Sequence, residues 1–354
     1  MTGPHRHGGD LAGLARTLEL PADCHDFSVN THPFGPHPGA AAAARKALDH
    51  MERYPDPAAE SLRAAIAAAH GLPEACIVPG NGAAELIDLL PRALGVTRAL
   101  VVTPAFGEYR DAVARAGGAV IPVARERIDS FPTGAVVAAI ARHRPQAVFV
   151  CSPNNPTGER LADADFQAVH AACGESTLLV LDEAFVEYSG GSRMDEVTKL
   201  PNLVVLRSLT KFFGLAGLRV GYLAAAPPVA GRVAALRPPW TVNGPAAAAG
   251  MACLADPDYV DAQRQRVVAL RQPFADALSA LGLAPLPSDA NFLLCRLPEG
   301  VSADHLFPAL ARDGFVVRHC GSFGLGDRYI RLRVHRPEVN AAFIKTLARH
   351  LPCS

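Results

Sequence analysis

The sequence has no surplus of charge of either sign. Its 34 Lys and Arg residues balance 34 Asp and Glu residues, so the formal net charge at pH 7 is zero. Without a net positive field we expect neither nucleic-acid binding nor attraction to an anionic membrane. The chain also lacks an apolar run long enough to span a bilayer. Any anion that the protein binds must therefore be held by a local cluster of charges.

Cysteine is present, but not in a pattern typical of crosslinks or metal sites. The eight Cys residues are irregularly spaced and include no Cys-x-x-Cys pair, which argues against a disulfide framework and against a zinc site. The stretch from Met1 to Asp10 is polar and is followed by no apolar segment typical of a signal peptide. We therefore expect a cytoplasmic protein without a metal.

The chain of 354 residues is long enough for two domains. Short β-branched runs without polar alternation predict strands that are buried on both faces. Ala- and Leu-rich segments separate these runs, so we predict an α/β domain over residues 36–245, with a mostly parallel mixed sheet sandwiched between helices. Helical stretches with two short strand-like runs predict a smaller α+β domain over residues 246–354. Residues 1–35 have few apolar side chains and are predicted to pack on this smaller domain.

Polar motifs follow three of the predicted strands, at the sheet edge where α/β proteins bind ligands. A single Asp after a strand is more often a turn or cap residue. Four such features in this order, however, indicate one site. They are Ser-Pro-Asn-Asn-Pro-Thr-Gly at 152–158, Asp-Glu-Ala-Phe at 182–185, Ser-Leu-Thr-Lys at 208–211, and the later Arg219.

These motifs resemble those of the fold type I pyridoxal-phosphate enzymes, the aspartate aminotransferase superfamily. The resemblance implies that Lys211 binds the aldehyde of pyridoxal 5′-phosphate covalently. It also implies that Asp182 pairs with the pyridine nitrogen and keeps it protonated, and that Asn155 donates to the ring 3-oxygen. Phe106 would stack on the ring face. Phe185 stands where many relatives have a Tyr that donates to the 3-oxygen.

The phosphate of this cofactor needs donors from several directions. Gly80-Asn81-Gly82 precedes a predicted helix at 83–94 and would supply bare backbone amides at its N-terminus. Ser208 would add a hydroxyl group and Arg219 a guanidinium group. The resemblance further implies a homodimer, in which Tyr54 reaches across the interface to the cofactor phosphate of the partner.

Within the superfamily, the nearest resemblance is to the histidinol-phosphate aminotransferase branch and, inside it, to the threonine-phosphate decarboxylases of cobalamin synthesis. It implies that Arg331 and Asn155 bind the substrate α-carboxylate, and that Arg318, His7 and Asn30 bind a substrate phosphate. The closer resemblance rests on His7-Gly8-Gly9, Asp26–Asn30, Arg53–Asp56, Leu206–Phe212, Trp240–Asn243 and the pair Arg318 and Arg331.

We therefore expect decarboxylation of L-threonine O-3-phosphate to (R)-1-amino-2-propanol phosphate, with a small phosphorylated amino acid as substrate. A substrate with two anionic ends needs two cationic clusters in a chain without net charge. One alternative is an aminotransferase acting on histidinol phosphate or a related amino acid. A decarboxylase of O-phospho-L-serine is another, because one methyl group gives only about 1–3 kcal/mol of discrimination. A cofactor-binding module without catalysis is disfavoured, because the enzyme domains take up the chain.

Overall fold

The computed structural model describes residues 8–352. The helices are α1 (Leu11–Thr17), α2 (Pro38–Ala47), α3 (Glu60–His70), α4 (Ala83–Leu94), α5 (Glu108–Arg115), α6 (Thr133–His143), α7 (Asp163–Cys173), α8 (Val186–Ser189), α9 (Pro227–Leu236), α10 (Gly244–Leu254), α11 (Pro257–Ala280), α12 (Ala303–Arg312) and α13 (Pro337–Ala348). The strands are β1 (His25–Asp26), β2 (Ile77–Gly80), β3 (Arg98–Thr103), β4 (Ala119–Ala124), β5 (Ala147–Cys151), β6 (Leu178–Asp182), β7 (Leu203–Ser208), β8 (Gly221–Ala225), β9 (Ala284–Pro285), β10 (Phe292–Arg296), β11 (Phe315–Val316), β12 (Arg318–His319) and β13 (Tyr329–Arg333).

A seven-stranded sheet in the order β2-β8-β7-β6-β5-β3-β4 forms the centre of the fold. The pairs from β4 to β7 are parallel, and β8 runs antiparallel to both of its neighbours. Successive residues of one strand enter separate hydrophobic clusters, Val148 on one face and Phe149 on the other. This alternation buries both faces under helices, and it confirms the predicted mostly parallel mixed sheet.

A four-stranded antiparallel sheet, in the order β12-β13-β10-β9, lies in the C-terminal part of the chain. The early part of the chain packs here. Strand β1 pairs in parallel with β11, and Phe27 is fully buried in the same cluster as Phe343. The boundaries at residues 35 and 245 stay a prediction.

Four of the five parallel strands, β3, β5, β6 and β7, precede the loops of interest and end at one edge of the large sheet. The loops that carry the polar motifs follow these ends, as the order of motifs predicts. Within residues 8–352, the helices are all too short or too polar to cross a membrane.

Candidate active site

Lys211 lies in the loop that follows β7, and its amine is partly exposed in a cavity. Burial lowers the pKa of this amine from 10.5 to about 8. The positive charges of Arg331 and Arg219 lower the pKa further, whereas the negative charge of Asp182 raises it. Near neutral pH a larger fraction of this amine is therefore uncharged than for an ordinary lysine, and an uncharged amine can act as a nucleophile or a base.

Asp182 is the last residue of β6 and is buried. Its Oδ1 accepts a hydrogen bond from the N–H of Ala184 at 2.9 Å, and its Oδ2 accepts one from the hydroxyl of Tyr109 at 2.6 Å. Burial raises the pKa of the carboxyl group, and these two hydrogen bonds and Lys211 lower it. The side chain is thus oriented through both oxygens and has lone pairs left for a further donor.

Tyr109 is a site residue that the sequence analysis missed. It lies in the first turn of α5 and is followed by the core residues Ala112 and Val113, so it has the pattern of a packing residue. One sequence feature could have identified Tyr109 as a site residue. It lies three residues after Phe106, on a helix that begins at the same sheet edge.

The predicted cofactor residues are brought together around one cavity, whose empty volume, including space open to solvent, is about 530 Å³. The walls combine an amine, buried acceptors and donors, and flat aromatic side chains, which suits a phosphorylated pyridine aldehyde. The predicted residues among them are Phe106, Asn155, Asp182, Phe185, Ser208, Lys211 and Arg219.

The loop Gly80-Asn81-Gly82 lies at the N-terminus of α4, but two of its amides are not bare as expected. The N–H of Asn81 donates to Oε2 of Glu85 at 2.6 Å, and the N–H of Gly82 donates to the carbonyl of Gly80 at 2.8 Å. Ala83 and Ala84, the first residues of α4, line the cavity instead. N–H groups in the first turn of a helix have no partner within it, so the amides of Ala83 and Ala84 are available to the expected phosphate.

Gly82 is needed for its conformation and for its missing side chain. Its φ is +75° and its ψ is 162°, a region that is essentially restricted to glycine. A Cβ here would lie 2.6 Å from Nη2 of Arg219, so glycine lets that guanidinium group lie against the helix N-terminus. Arg219 itself has a positive φ of 60°, and such strain in a residue with a side chain is typical of binding sites.

Ser208 and Thr210 complete this end of the cavity. Their hydroxyl oxygens are 2.7 Å apart, and both residues are buried. Thr210 was not assigned from the sequence, although it stands between two assigned residues of the motif at 208–211. One hydroxyl donates to the other, so the remaining hydroxyl proton, the two amides and Arg219 can together donate to a phosphate dianion.

A second cavity adjoins the first and shares Phe106, Asn155 and Lys211 with it. Arg331 donates to Oδ1 of Asn155 and, at 2.6 Å, to the carbonyl of Ser28. Burial, with the nearby charge of Arg318, lowers the pKa of Arg331 to about 9. An anion that reached this guanidinium group would restore its lost solvation.

Arg318 and Asn30 also line the second cavity. Nη2 of Arg318 donates to the hydroxyl of Ser322 at 2.6 Å, and its guanidinium group lies 5.2 Å from the ring centre of Phe323. Oδ1 of Asn30 is buried and has no hydrogen-bond partner among the described residues. Within residues 8–352, the wall of this cavity contains three arginines and Lys211 but no carboxylate, so it suits an anionic ligand.

Among the described residues, the predicted Gly80, Asn81, Gly82 and Tyr54 do not line either cavity. His7 lies outside the described residues, although Gly8 beside it lines the second cavity. Tyr54 is 84% exposed, and its ring packs against that of Trp240 with 5.3 Å between centres.

Comparisons with known proteins agree with this geometry. The family model for aminotransferase class I and II matches residues 22–351. A histidinol-phosphate aminotransferase of Symbiobacterium thermophilum is 36% identical over 351 residues, which cover 97% of this chain and 95% of the relative. One from Roseiflexus castenholzii is 37% identical over 348 residues, which cover 95% of this chain and 92% of the relative.

Solved structures give the same fold. The histidinol-phosphate aminotransferase of Sinorhizobium meliloti, in complex with pyridoxal 5′-phosphate, has a TM-score of 0.81 and 28% identity, covering 92% of this chain and 89% of that one. The L-threonine-O-3-phosphate decarboxylase of Porphyromonas gingivalis has a TM-score of 0.82 and 27% identity, covering 92% and 98%.

The expected decarboxylation of L-threonine O-3-phosphate is wrong by this comparison. The curated relatives at 36–37% identity are histidinol-phosphate aminotransferases, whereas the decarboxylase is a more distant neighbour in structure. The motifs that suggested it, such as Arg318 with Arg331, would suit a substrate with two anionic groups whichever bond breaks. The cofactor prediction is confirmed, since the family and the neighbouring complex imply pyridoxal 5′-phosphate. The chain belongs to the class I and II aminotransferase family of fold type I pyridoxal-phosphate enzymes.

Proposed function

We propose that the protein is an aminotransferase that acts on a small phosphorylated amine or amino acid of the histidinol-phosphate type. The observation that carries this proposal is the similarity to histidinol-phosphate aminotransferases over nearly the whole chain. The cationic second cavity supports it, because its wall has arginines for a phosphate and for the carboxylate of an amino-acid donor.

In the proposed mechanism each residue has a separate task. Bound pyridoxal 5′-phosphate supplies an electron-withdrawing ring that stabilises negative charge at the substrate carbon. Lys211 would hold the aldehyde covalently until the amino group of the substrate displaces it, and the released neutral Nζ would then take the proton from the carbon that bears the amino group. Asp182 holds a proton on the ring nitrogen. Phe106 and Phe185, which line the first cavity, exclude water from the ring.

Two arginines bind the anionic groups of the substrates. Arg331, held by Asn155 and Ser28, is proposed to orient the carboxylate of an amino-acid donor. Arg318, which lines the second cavity, is proposed to bind the phosphate together with Asn30. His7 is proposed as a further phosphate ligand on the strength of its sequence alone.

We also propose a homodimer in which Tyr54 contributes to the partner's cofactor site. Several large apolar side chains near Tyr54 are exposed in the single chain. Met51 is 77% exposed, Leu48 48% and Trp240 47%. Such a cluster supports an interface at this face, and we expect Tyr54 to lie inside the contact area.

The test supplies histidinol phosphate and 2-oxoglutarate to the cofactor-loaded protein and measures glutamate by mass spectrometry. In parallel, L-threonine O-3-phosphate is supplied and released CO2 is measured. We expect glutamate that depends on both substrates, and no CO2. CO2 release without amino transfer would overturn the proposal.

Three arginine variants separate the roles in the site. Arg318→Gln should raise KM for the phosphorylated substrate by about 10- to 100-fold, as expected for a lost hydrogen bond to a charged group. It should leave KM for glutamate nearly unchanged, whereas Arg331→Gln should raise KM for glutamate. Arg296→Gln, on the exposed side of the same small sheet, is the matched control and should change neither.

A further inference from the structure

The hydroxyl group of Tyr109 is placed to act on the cofactor through Asp182. It donates to Oδ2 of Asp182 at 2.6 Å, and Tyr109 is 1% exposed. Both residues line the cofactor cavity. The Tyr109 ring is stacked on Phe149 with 5.5 Å between centres and meets Phe106 edge-on at 5.8 Å. The phenol is therefore held at a fixed distance from the carboxylate.

The hydrogen bond favours one protonation state of the carboxyl group. A phenol that donates to a carboxylate stabilises the ionised form. Here it lowers the pKa of Asp182, whereas burial raises it. If the bond were lost, Oδ2 would become more basic and would compete more strongly with the pyridine nitrogen for the shared proton.

The other titratable groups near this carboxylate cannot replace the phenol. Lys211, in the loop after β7, contributes a favourable charge to Asp182. Burial raises the pKa of the Cys151 thiol at the end of β5 far above neutrality, so it carries no charge. Burial and the charge of Asp182 also raise the pKa of Tyr109, so the phenol keeps its proton and remains a donor.

We propose that Tyr109 is a positioning residue that holds Asp182 ionised and oriented, so that the proton stays on the pyridine nitrogen of the cofactor. This inference rests on the proposed role of Asp182 and not on the identity of the substrate. It predicts that the Tyr109 hydroxyl affects cofactor protonation even when no substrate is present.

The chain offers a matched control in Tyr188 of α8. Tyr188 is 2% exposed, and its hydroxyl has no hydrogen-bond partner among the described residues. Tyr188→Phe and Tyr109→Phe each delete one buried hydroxyl group, but only the second deletes a donor to Asp182. A general effect of removing a buried hydroxyl would appear in both variants.

The experiment loads wild type, Tyr109→Phe and Tyr188→Phe with pyridoxal 5′-phosphate labelled with nitrogen-15 in the ring. The chemical shift of the ring nitrogen is followed by NMR against pH, and kcat and KM are measured separately. In Tyr109→Phe we expect the proton shared with Asp182 to lie less often on the ring nitrogen, so the nitrogen chemical shift on the neutral-pH plateau should move towards that of an unprotonated ring, with kcat lowered by about 10- to 100-fold. The spectra and kcat of Tyr188→Phe should match wild type, and KM should change little in either variant.

Asp182→Asn separates this inference from the role on which it rests. A nitrogen that stays protonated in Asp182→Asn overturns the role of Asp182. The role of Tyr109 is overturned if Asp182→Asn changes the protonation of the ring nitrogen but Tyr109→Phe gives the same nitrogen shifts as wild type.

If Tyr109→Phe does not fold, 3-fluorotyrosine at position 109 keeps the shape and strengthens the donor. The nitrogen chemical shift on the neutral-pH plateau should then move towards that of a fully protonated ring. An unchanged shift, or one that moves towards the unprotonated ring, would overturn the inference.

Discussion

Replacing Gly82 with Ala should weaken cofactor binding more than it destabilises the apoprotein. The added methyl group would lie 2.6 Å from Nη2 of Arg219, at the far end of a flexible side chain. The guanidinium group can move away from this contact, and in doing so it leaves the position from which it would bind the cofactor phosphate.

The magnitude has two separate parts. Alanine at a φ of +75° and a ψ of 162° costs about 1–3 kcal/mol of backbone strain, which lowers the free energy of unfolding. Loss of a charge-assisted hydrogen bond from Arg219 costs about 1.5–3 kcal/mol of binding free energy. We therefore expect the dissociation constant of the cofactor to rise by about 10- to 100-fold.

Gly95→Ala provides the control at the other end of α4. Gly95 also has a positive φ, of 67°, but a Cβ there would meet no atom within 4 Å. It should show a similar loss of stability in urea unfolding and no change in cofactor titration followed by absorbance. If Gly82→Ala binds the cofactor as tightly as Gly95→Ala, the assignment of this helix N-terminus to the phosphate is refuted.

Three further predictions concern the amine, the pocket wall and the second core. Because the pKa of Lys211 lies near 8, its neutral fraction and the rate of cofactor capture by apoprotein should rise with pH and level off above that value. Arg331→Gln removes a positive charge that lowers this pKa, so stopped-flow absorbance should place the midpoint at a higher pH; an unmoved midpoint would contradict it. A Cβ at Gly8 would lie 2.3 Å from the carbonyl oxygen of Ser28, so Gly8→Ala should displace the wall and raise KM for the phosphorylated substrate by roughly fivefold, the equivalent of one hydrogen bond. If steady-state kinetics show an unchanged KM, this wall of the second cavity does not contribute to substrate binding. Phe27→Ala should cost about 3–5 kcal/mol in urea unfolding, because the side chain is fully buried, and a loss under about 1 kcal/mol would show that the segment is not part of that core.

The parts of the site that follow strands could be predicted from the sequence. Asp182 and Lys211 come after continuous apolar runs, and parallel strands bring their carboxyl ends to one edge. Chain order therefore places these two side chains around one cavity without knowledge of the loops.

The parts that depend on hydrogen-bond partners could not be predicted in the same way. Tyr109 has the sequence pattern of a core aromatic residue. The sequence does not show whether the hydroxyl group of a tyrosine donates to a functional partner. The sequence suggested that the amides of Asn81 and Gly82 have no partner. In the structure they donate to the side chain of Glu85 and to the carbonyl of Gly80, and only the geometry of the turn brings these acceptors into reach. The reaction was misjudged for a related reason, because anion-binding residues are shared by enzymes that break different bonds.

The distribution of the two cavities along the chain has a consequence for synthesis on the ribosome. Every described residue lining the first cavity lies between positions 83 and 219, whereas the second combines Gly8 and Ser28 with Arg318 and Arg331. The hydrogen bond from Arg331 to the carbonyl of Ser28 joins residues 303 positions apart. Because nascent chains order from the amino end, the vitamin pocket has all its residues well before translation finishes, and recognition of metabolites must wait for the final segment to emerge.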